Sequence, residues 1–420
     1  MAKYKSLNLF VEQKNTDFFD WSIFLLTILL VTCGLISIYS ATFDSGMSVN
    51  FYRQMVLAGV GTAIMVATTY IPERWIYVNA LPLYAISLLL LVIVLKFGKT
   101  TYGTTGWLTL GGFSLQPAEL MKFSTVLMVA NHLSKRGTDI ATLRDLFTVG
   151  AYVCLPVLLI ALQPDIGTAS VFGALFLGVL LWAGFDIYLL WFVVSMPLVM
   201  IASLTGTAGF VISVSAYSVI AALFRRNIAK TMLTIGVVFA IGYFSPVLVD
   251  NLADHQQKRI HTFLNPEDDP RGIGYNVIQS VMAVGSGGFT GKGFLQGTQT
   301  QLRYIPAQWT DFIFCVPTEE FGFLGGSAVI LLLCGLLYRM VTVAKEVSSP
   351  FGGLVCASVA VIFFYHTIIN IGMAIGVVPV MGIPLPFMSY GGSSLVVNMA
   401  MVGLVLNANR THKKSVYMRG

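Results

Sequence analysis

The chain has 420 residues, of which 56% are hydrophobic and only 10% charged. Soluble domains carry roughly 25% charged residues, so a water-soluble globular fold is excluded for want of polar groups to cover its surface. The net charge of +6 is no nucleic-acid signature, because the basic residues sit singly or in twos and threes beside apolar runs, where they orient a membrane protein.

Apolar runs of about 20 residues, enough to cross a ~30 Å hydrocarbon core as helix, recur along the chain. The stretch Met1–Asp20 is polar and has no cleavage pattern, so the first run is expected to stay as an anchor. Spans are expected at residues 21–43, 52–71, 76–97, 117–134, 146–163, 166–184, 186–204, 206–224, 229–250, 324–343, 352–378 and 389–409, twelve in all. The expected fold is therefore an all-α polytopic transmembrane bundle. With the N-terminus placed inside, sixteen Lys and Arg residues fall on inside segments and eight outside, five of those eight in one long loop. Long loops follow the charge rule weakly, so the short ones decide, and both termini are expected in the cytoplasm.

The expected plan is a cytoplasmic tail at 1–20, nine spans over 21–250, a large extracytoplasmic loop at 251–310, the C-terminal spans over 311–409 and a tail at 410–420. The loop mixes apolar stretches with single glycines, which predicts short helices and turns over the outer mouth of the bundle. The five cysteines lie in apolar stretches without metal-ligand spacing, and the five histidines are scattered.

Acidic residues in or beside a membrane are costly and mark function by default. In Gln116-Pro117-Ala118-Glu119-Leu120-Met121-Lys122, proline opens a helix and Glu119 and Lys122 stand one turn apart. They are either a site pair or an ion pair that lets the helix insert. In Gln163-Pro164-Asp165-Ile166-Gly167-Thr168, Asp165 either caps the next helix or positions other groups. Asp311, in Trp309-Thr310-Asp311-Phe312 ahead of Glu319-Glu320, is either a general base in a cleft or a helix cap.

Gly285-Ser286-Gly287-Gly288 and Gly291-Lys292-Gly293 either cradle an anion with backbone N–H groups or make ordinary turns. Lys258, Arg259, Arg271, Lys292 and Arg303 make the loop basic, which suits a phosphate or pyrophosphate, or else form a solvated face. Pro384 and Pro386 break the helical pattern before Ser389-Tyr390-Gly391-Gly392-Ser393-Ser394. Membranes tolerate such backbone only beside protein or water.

These blocks resemble the SEDS family of bacterial cell-wall proteins (RodA and FtsW). The likeness runs from Gly106-Trp107 through Gly111-Gly112-Phe113-Ser114-Leu115-Gln116-Pro117-Ala118-Glu119 and Gln163–Ala169 to the glycine cluster, Thr310–Phe314 with Glu319-Glu320, and Pro384–Ser394. Phe263-Leu264-Asn265-Pro266, Gly297-Thr298-Gln299 and Asn370-Ile371-Gly372-Met373 resemble the elongation-type forms. The chain departs from the family in carrying Gly106 where a basic residue is common and Trp309 where a histidine often stands. Residues 206–250 read as two spans beyond the family's usual ten.

The resemblance implies a peptidoglycan glycosyltransferase of the bacterial cytoplasmic (inner) membrane, with its site on the extracytoplasmic side. It would polymerise lipid II, release undecaprenyl pyrophosphate and work beside a class B penicillin-binding protein in an elongation or division complex. Asp311 matches the family's essential loop aspartate, and Trp107 its loop tryptophan. The candidate substrate contacts are Trp107, Glu119, Lys122, Gln163, Asp165, Lys258, Arg259, Gln279, Ser286, Lys292, Gln299, Arg303, Glu319 and Ser389. The chemistry admits a divalent cation, Mg2+ or Mn2+, on the pyrophosphate, although no dedicated metal site is legible. Two other classes stay open: a lipid II flippase without chemistry, and a scaffold that activates its partner.

Overall fold

The computed structural model describes residues 18–43, 48–101, 104–110, 113–224, 227–251, 254–269, 272–306 and 308–418. The apolar runs form helices, and polar residues at their edges end them. Asp20 caps α1 (Trp21–Thr42) through the N–H groups of Ser22 and Ile23. The chain continues through α2 (Ser48–Tyr70), a short α3 (Glu73–Val78) and α4 (Ala80–Phe97). One span expected at 76–97 is thus broken at Asn79, which links α3 to α4.

A small antiparallel ribbon follows, with β1 (Lys99–Thr101), β2 (Thr104–Leu110) and β3 (Phe113–Leu115) in that order. Lys99 pairs with Trp107, and Leu108 with Leu115. This sheet is the one departure from an all-helical reading. Pro117 then opens α5 (Pro117–Leu133). Side-chain caps from Thr142, Asp165 and Asp186 start α6 (Leu143–Ala161), α7 (Ile166–Trp182) and α8 (Ile187–Leu204). Next come α9 (Thr207–Leu223) and α10 (Ile228–Asp250).

The loop between 251 and 310 carries α11 (Asp254–Leu264), a 3-10 turn at Pro266–Asp268, α12 (Ile273–Ser286) and α13 (Thr298–Gln301). The short helices expected there are present. The final part holds α14 (Cys315–Glu320), α15 (Gly322–Glu346), α16 (Pro350–Ala374) and α17 (Gly392–Tyr417). Helix α17 runs well into the stretch expected to be a tail. Among the described residues, eight helices are long and apolar enough to cross a membrane by length and composition. Helices α2, α5, α7 and α9 are the other four that match expected spans.

Helices α16 and α17 form the centre. Helix α16 packs against α5, α7, α15 and α17, and α17 lies along α2. Helices α8, α9 and α10 pack chiefly on one another, around Tyr188, Val199, Tyr217, Ala221 and Val238. They form a side unit with its own small core, and it includes the two spans expected to be extra.

At the end of the bundle away from the long loop, one carboxylate joins three helices. Asp20 is 4% exposed and accepts hydrogen bonds from Arg339 Nη2 at 2.9 Å and Asn409 Nδ2 at 2.7 Å, besides capping α1. Removing it strands a guanidinium and an amide together. Asp20→Ala is expected to destabilise the protein by about 3 kcal/mol, seen as a lower unfolding midpoint in detergent, whereas Asp20→Asn keeps the cap and loses less.

Candidate active site

Between α16 and α17 the chain runs outside a helix, over residues 375–391. Its backbone polar groups need partners, because buried ones left unpaired are costly. Side chains supply several of them. Asn370 Nδ2 donates to the carbonyls of Ile383 and Asp311, each at 2.8 Å. Ser389 Oγ accepts from Leu385 N at 2.8 Å and donates to Thr310 O at 2.6 Å. Tyr390 N donates to Trp309 O at 2.8 Å, and Gln54 Nε2 of α2 reaches Ser389 O at 3.2 Å. Phe387, at φ 66°, takes a left-handed conformation that bulky residues avoid, held by an edge-on contact with Phe363 at 5.2 Å between ring centroids.

This scaffold seats Asp311 in a run of turns ahead of α14. Asp311 does not cap that helix, whose N-cap position is Phe314 with no side-chain bond. Its Oδ2 lies 3.7 Å from where a Cβ on Gly382 would sit. Burial pushes the Asp311 carboxyl up to about 6, with Thr310 opposing as a hydrogen-bond donor and the Asp165 charge adding to the rise.

Asp165 both caps and positions. Its Oδ1 accepts from Thr168 N at 2.9 Å, and its Oδ2 accepts from Thr168 Oγ1 at 2.8 Å and Gln116 Nε2 at 3.3 Å. Gly167 brings the start of α7 against the broken segment, since a Cβ there would overlap the Met381 carbonyl. A Cβ on Gly106 would lie 3.5 Å from Gln163 Oε1 and 3.9 Å from Gln116 Nε2. Gln163 is 1% exposed and its Nε2 has no partner. Strand alternation then turns Trp107 to the other face of the ribbon, where it is partly exposed.

The other candidates lie apart. Glu119 and Lys122 are buried and pair at 2.8 Å, with Lys122 Nζ also 3.4 Å from His366 Nε2. Glu319 is a loop anchor. It accepts from Lys292 Nζ and Gln299 N at 2.8 Å, and from Thr300 N at 2.9 Å and Thr300 Oγ1 at 2.7 Å. Burial pushes its carboxyl up, but these donors outweigh burial and hold it below the usual glutamate range. Glu320 accepts from Ser40 Oγ, which fastens the loop to α1, and burial leaves its carboxyl raised.

Lys292 is therefore paired with Glu319, and Gly287 and Gly291 serve close packing, while a Cβ at Gly285 or Gly288 would meet nothing within 4 Å. A Cβ at Gly287 would overlap the Thr318 carbonyl, and one at Gly291 the Glu320 carbonyl. The Lys292 and Gly293 N–H groups donate to the carbonyls of Glu319 and Glu320, so those two donors are not open to an anion. Ser286 Oγ donates to its own helix at Ala283 O. Arg303 stands exposed in a turn with φ 57°. Gln279 is partly buried on α12. Lys258 and Arg259 belong to α11, but their side chains, like Arg271, lie outside the described residues. Among the described residues no group of three His, Cys, Asp or Glu side chains is arranged to hold a metal ion.

Gln54, Gln116, His366 and Asn370 were not singled out from the sequence as site residues. Their available signal was a lone polar side chain within or beside an apolar run.

The cell cycle protein family of FtsW, RodA and SpoVE matches residues 20–219 and 209–414. The chain belongs to the FtsW/RodA/SpoVE family. A peptidoglycan glycosyltransferase MrdB of Escherichia coli K12 is 33% identical over 94% of both chains. Stage V sporulation protein E of Bacillus subtilis is 32% identical over 93% of this chain and 97% of its own. Two solved structures share the fold. One, described as "Structural coordination of polymerization and crosslinking by a peptidoglycan synthase complex", has a TM-score of 0.71 at 31% identity, covering 94% of this chain and 98% of that one. The other, the rod shape determining protein RodA of Thermus thermophilus, has a TM-score of 0.63 at 26% identity, covering 95% and 99%. As a member of this family, the chain is a multi-pass membrane protein.

The Glu319 anchor gives a direct test within this FtsW/RodA/SpoVE member. Glu319→Ala leaves the partly exposed Lys292 ammonium with Thr298 Oγ1 but strands the N–H groups of Gln299 and Thr300, and is expected to cost about 2–3 kcal/mol. Hydrogen exchange over residues 292–301 should rise well above that of the spans. The contribution of Glu319 holds at neutral pH and is lost as pH falls below the ordinary glutamate range, the direction its depressed carboxyl requires.

Proposed function

We propose that this chain is a peptidoglycan glycosyltransferase that polymerises lipid II, with Asp311 as the general base. The observation that carries the reading is the seat of Asp311. It is a partly buried carboxylate at the loop-bearing end, raised to about 6 and unpaired with any cation among the described residues. A base of that strength accepts a proton near neutral pH. The family members named peptidoglycan glycosyltransferases supply the reaction class.

In this reading the growing glycan is the donor, α-linked to its pyrophosphate lipid. The 4-hydroxyl of an incoming lipid II sugar attacks its anomeric carbon. Asp311 takes the hydroxyl proton as the new β-linkage forms and the bond from the anomeric carbon to the pyrophosphate oxygen breaks, releasing undecaprenyl pyrophosphate with the bonding pair. Donor and product differ in configuration, so one inverting displacement needs one base and no covalent intermediate. Asp165 aligns the start of α7 against the segment that carries Gly382. A divalent cation, Mg2+ or Mn2+, would be held by the oxygens of the substrate's own pyrophosphate, whose charge it would neutralise.

The basic-residue count supports an extracytoplasmic position for the loop-bearing end. A synthase complex among the similar structures supports a class B penicillin-binding partner. Resemblance at Phe263–Pro266 and Asn370–Met373 favours the elongation role.

The test is polymerisation of purified lipid II by the detergent-solubilised protein, alone and with its partner. Asp311→Asn should abolish glycan at unchanged thermal stability, whereas normal product from it would remove Asp311 as base. In wild type the rate should fall about tenfold per pH unit below about 6, because the base must be unprotonated. Asp165→Asn removes the neighbouring charge while keeping a capping side chain, so it should move that acidic limb to lower pH.

A further inference from the structure

Glu119, Lys122 and His366 take no part in the proton transfer just described, yet they are 3%, 1% and 1% exposed. Ionisable groups at membrane depth are costly. Two contacts define the histidine. Its Nδ1 lies 3.1 Å from the Pro384 carbonyl oxygen, which only accepts, so Nδ1 carries the proton. Its Nε2 lies 3.4 Å from Lys122 Nζ, an ammonium that only donates, so Nε2 presents its lone pair. Glu119 neutralises Lys122 from the other side, at 2.8 Å. The pair therefore selects one tautomer of His366, and that tautomer grips Pro384.

Pro384 lies between two residues already tied to the Asp311 turn. On one side is Ile383, whose carbonyl shares Asn370 Nδ2 with the carbonyl of Asp311. On the other is Leu385, whose N–H meets Ser389 Oγ and through it Thr310 O. His366 and Asn370 stand four residues apart, on one face of α16. Because Pro384 and Pro386 have no N–H, the segment depends more on bonds to its carbonyls. We propose that His366 is a positioning residue for Asp311, and that the Glu119–Lys122 pair serves the reaction through the tautomer of His366 rather than by touching substrate. The proposal rests on Asp311 being the base.

The experiment uses the full chain in nanodiscs with purified lipid II, comparing wild type with His366→Leu, His366→Asn and the double variant Glu119→Gln/Lys122→Met. Leucine removes the bond to Pro384, and asparagine returns an amide N–H close to the Nδ1 position. His366→Leu should lose about 100-fold in kcat, the scale of a displaced catalytic group, with KM for lipid II within about threefold. His366→Asn should recover at least about tenfold of that loss. Specific 15N-histidine spectra of wild type, assigned with the Asn variant, should show His366 protonated at Nδ1 alone, and the double variant should lose that bias.

A rise in KM at constant kcat would mean direct substrate contact, and would overturn the proposal. So would a fall in kcat that tracks the unfolding midpoint through all variants, asparagine included, or an Nε2-protonated ring. A fully active His366→Leu beside an active wild type defeats this proposal alone. An inactive wild type defeats the glycosyltransferase reading with it.

Discussion

The structure turns on one constraint: a stretch of chain outside the helices, residues 375–391, enters the heart of a helical bundle. Helices satisfy their own backbone, and this stretch cannot. Its carbonyls and N–H groups are met by side chains from α2 and α16, by the turn around Asp311 and by its own Ser389. Each of these polar side chains sits in or beside a run that is otherwise apolar. The same bonds that make the segment tolerable also fix the turn holding the candidate base, so burial economics and site geometry share one set of contacts.

The charges divide the same way. Lys122 is paired with Glu119, Lys292 with Glu319 and Arg339 with Asp20. Asp20–Arg339 joins the start of α1 to α15 and Glu319–Lys292 ties the loop to α14, whereas Glu119–Lys122 lies within α5. Asp311 has no such partner among the described residues and has Asp165 as a like-charged neighbour. Its raised basicity follows first from burial, and the Asp165 charge adds to it.

Much of the architecture was legible in sequence because a 20-residue apolar run has few alternatives once it meets a bilayer. The loop helices were legible through the apolar stretches and single glycines of the loop, whereas the nearness of Asp311 to Asp165 was not, because it depends on a long-range fold-back. The ribbon strands within 99–115 were not legible either, since two of them are only three residues long. The pairing of Lys292 with Glu319 was not legible, for a physical reason. Charge in a loop looks available to a ligand until its partner, Glu319, arrives from a distant part of the chain. His366 and Asn370 gave only the weak signal of one polar residue in an apolar helix, and their importance depends on where 382–390 folds back.

Biosynthesis follows from the way that segment is fastened. A chain emerging from the ribosome folds from its N-terminus forward, and Asp311 appears well before the residues that seat it. Helices α15 and α16 must be made and inserted first, and then the strip from Ile383 to Tyr390 must return to Trp309, Thr310 and Asn370. Until then the aspartate turn lacks those ties. The geometry around Asp311 is thus among the last things the growing protein acquires, and a chain stalled before Pro384 would carry the aspartate without the contacts that seat it.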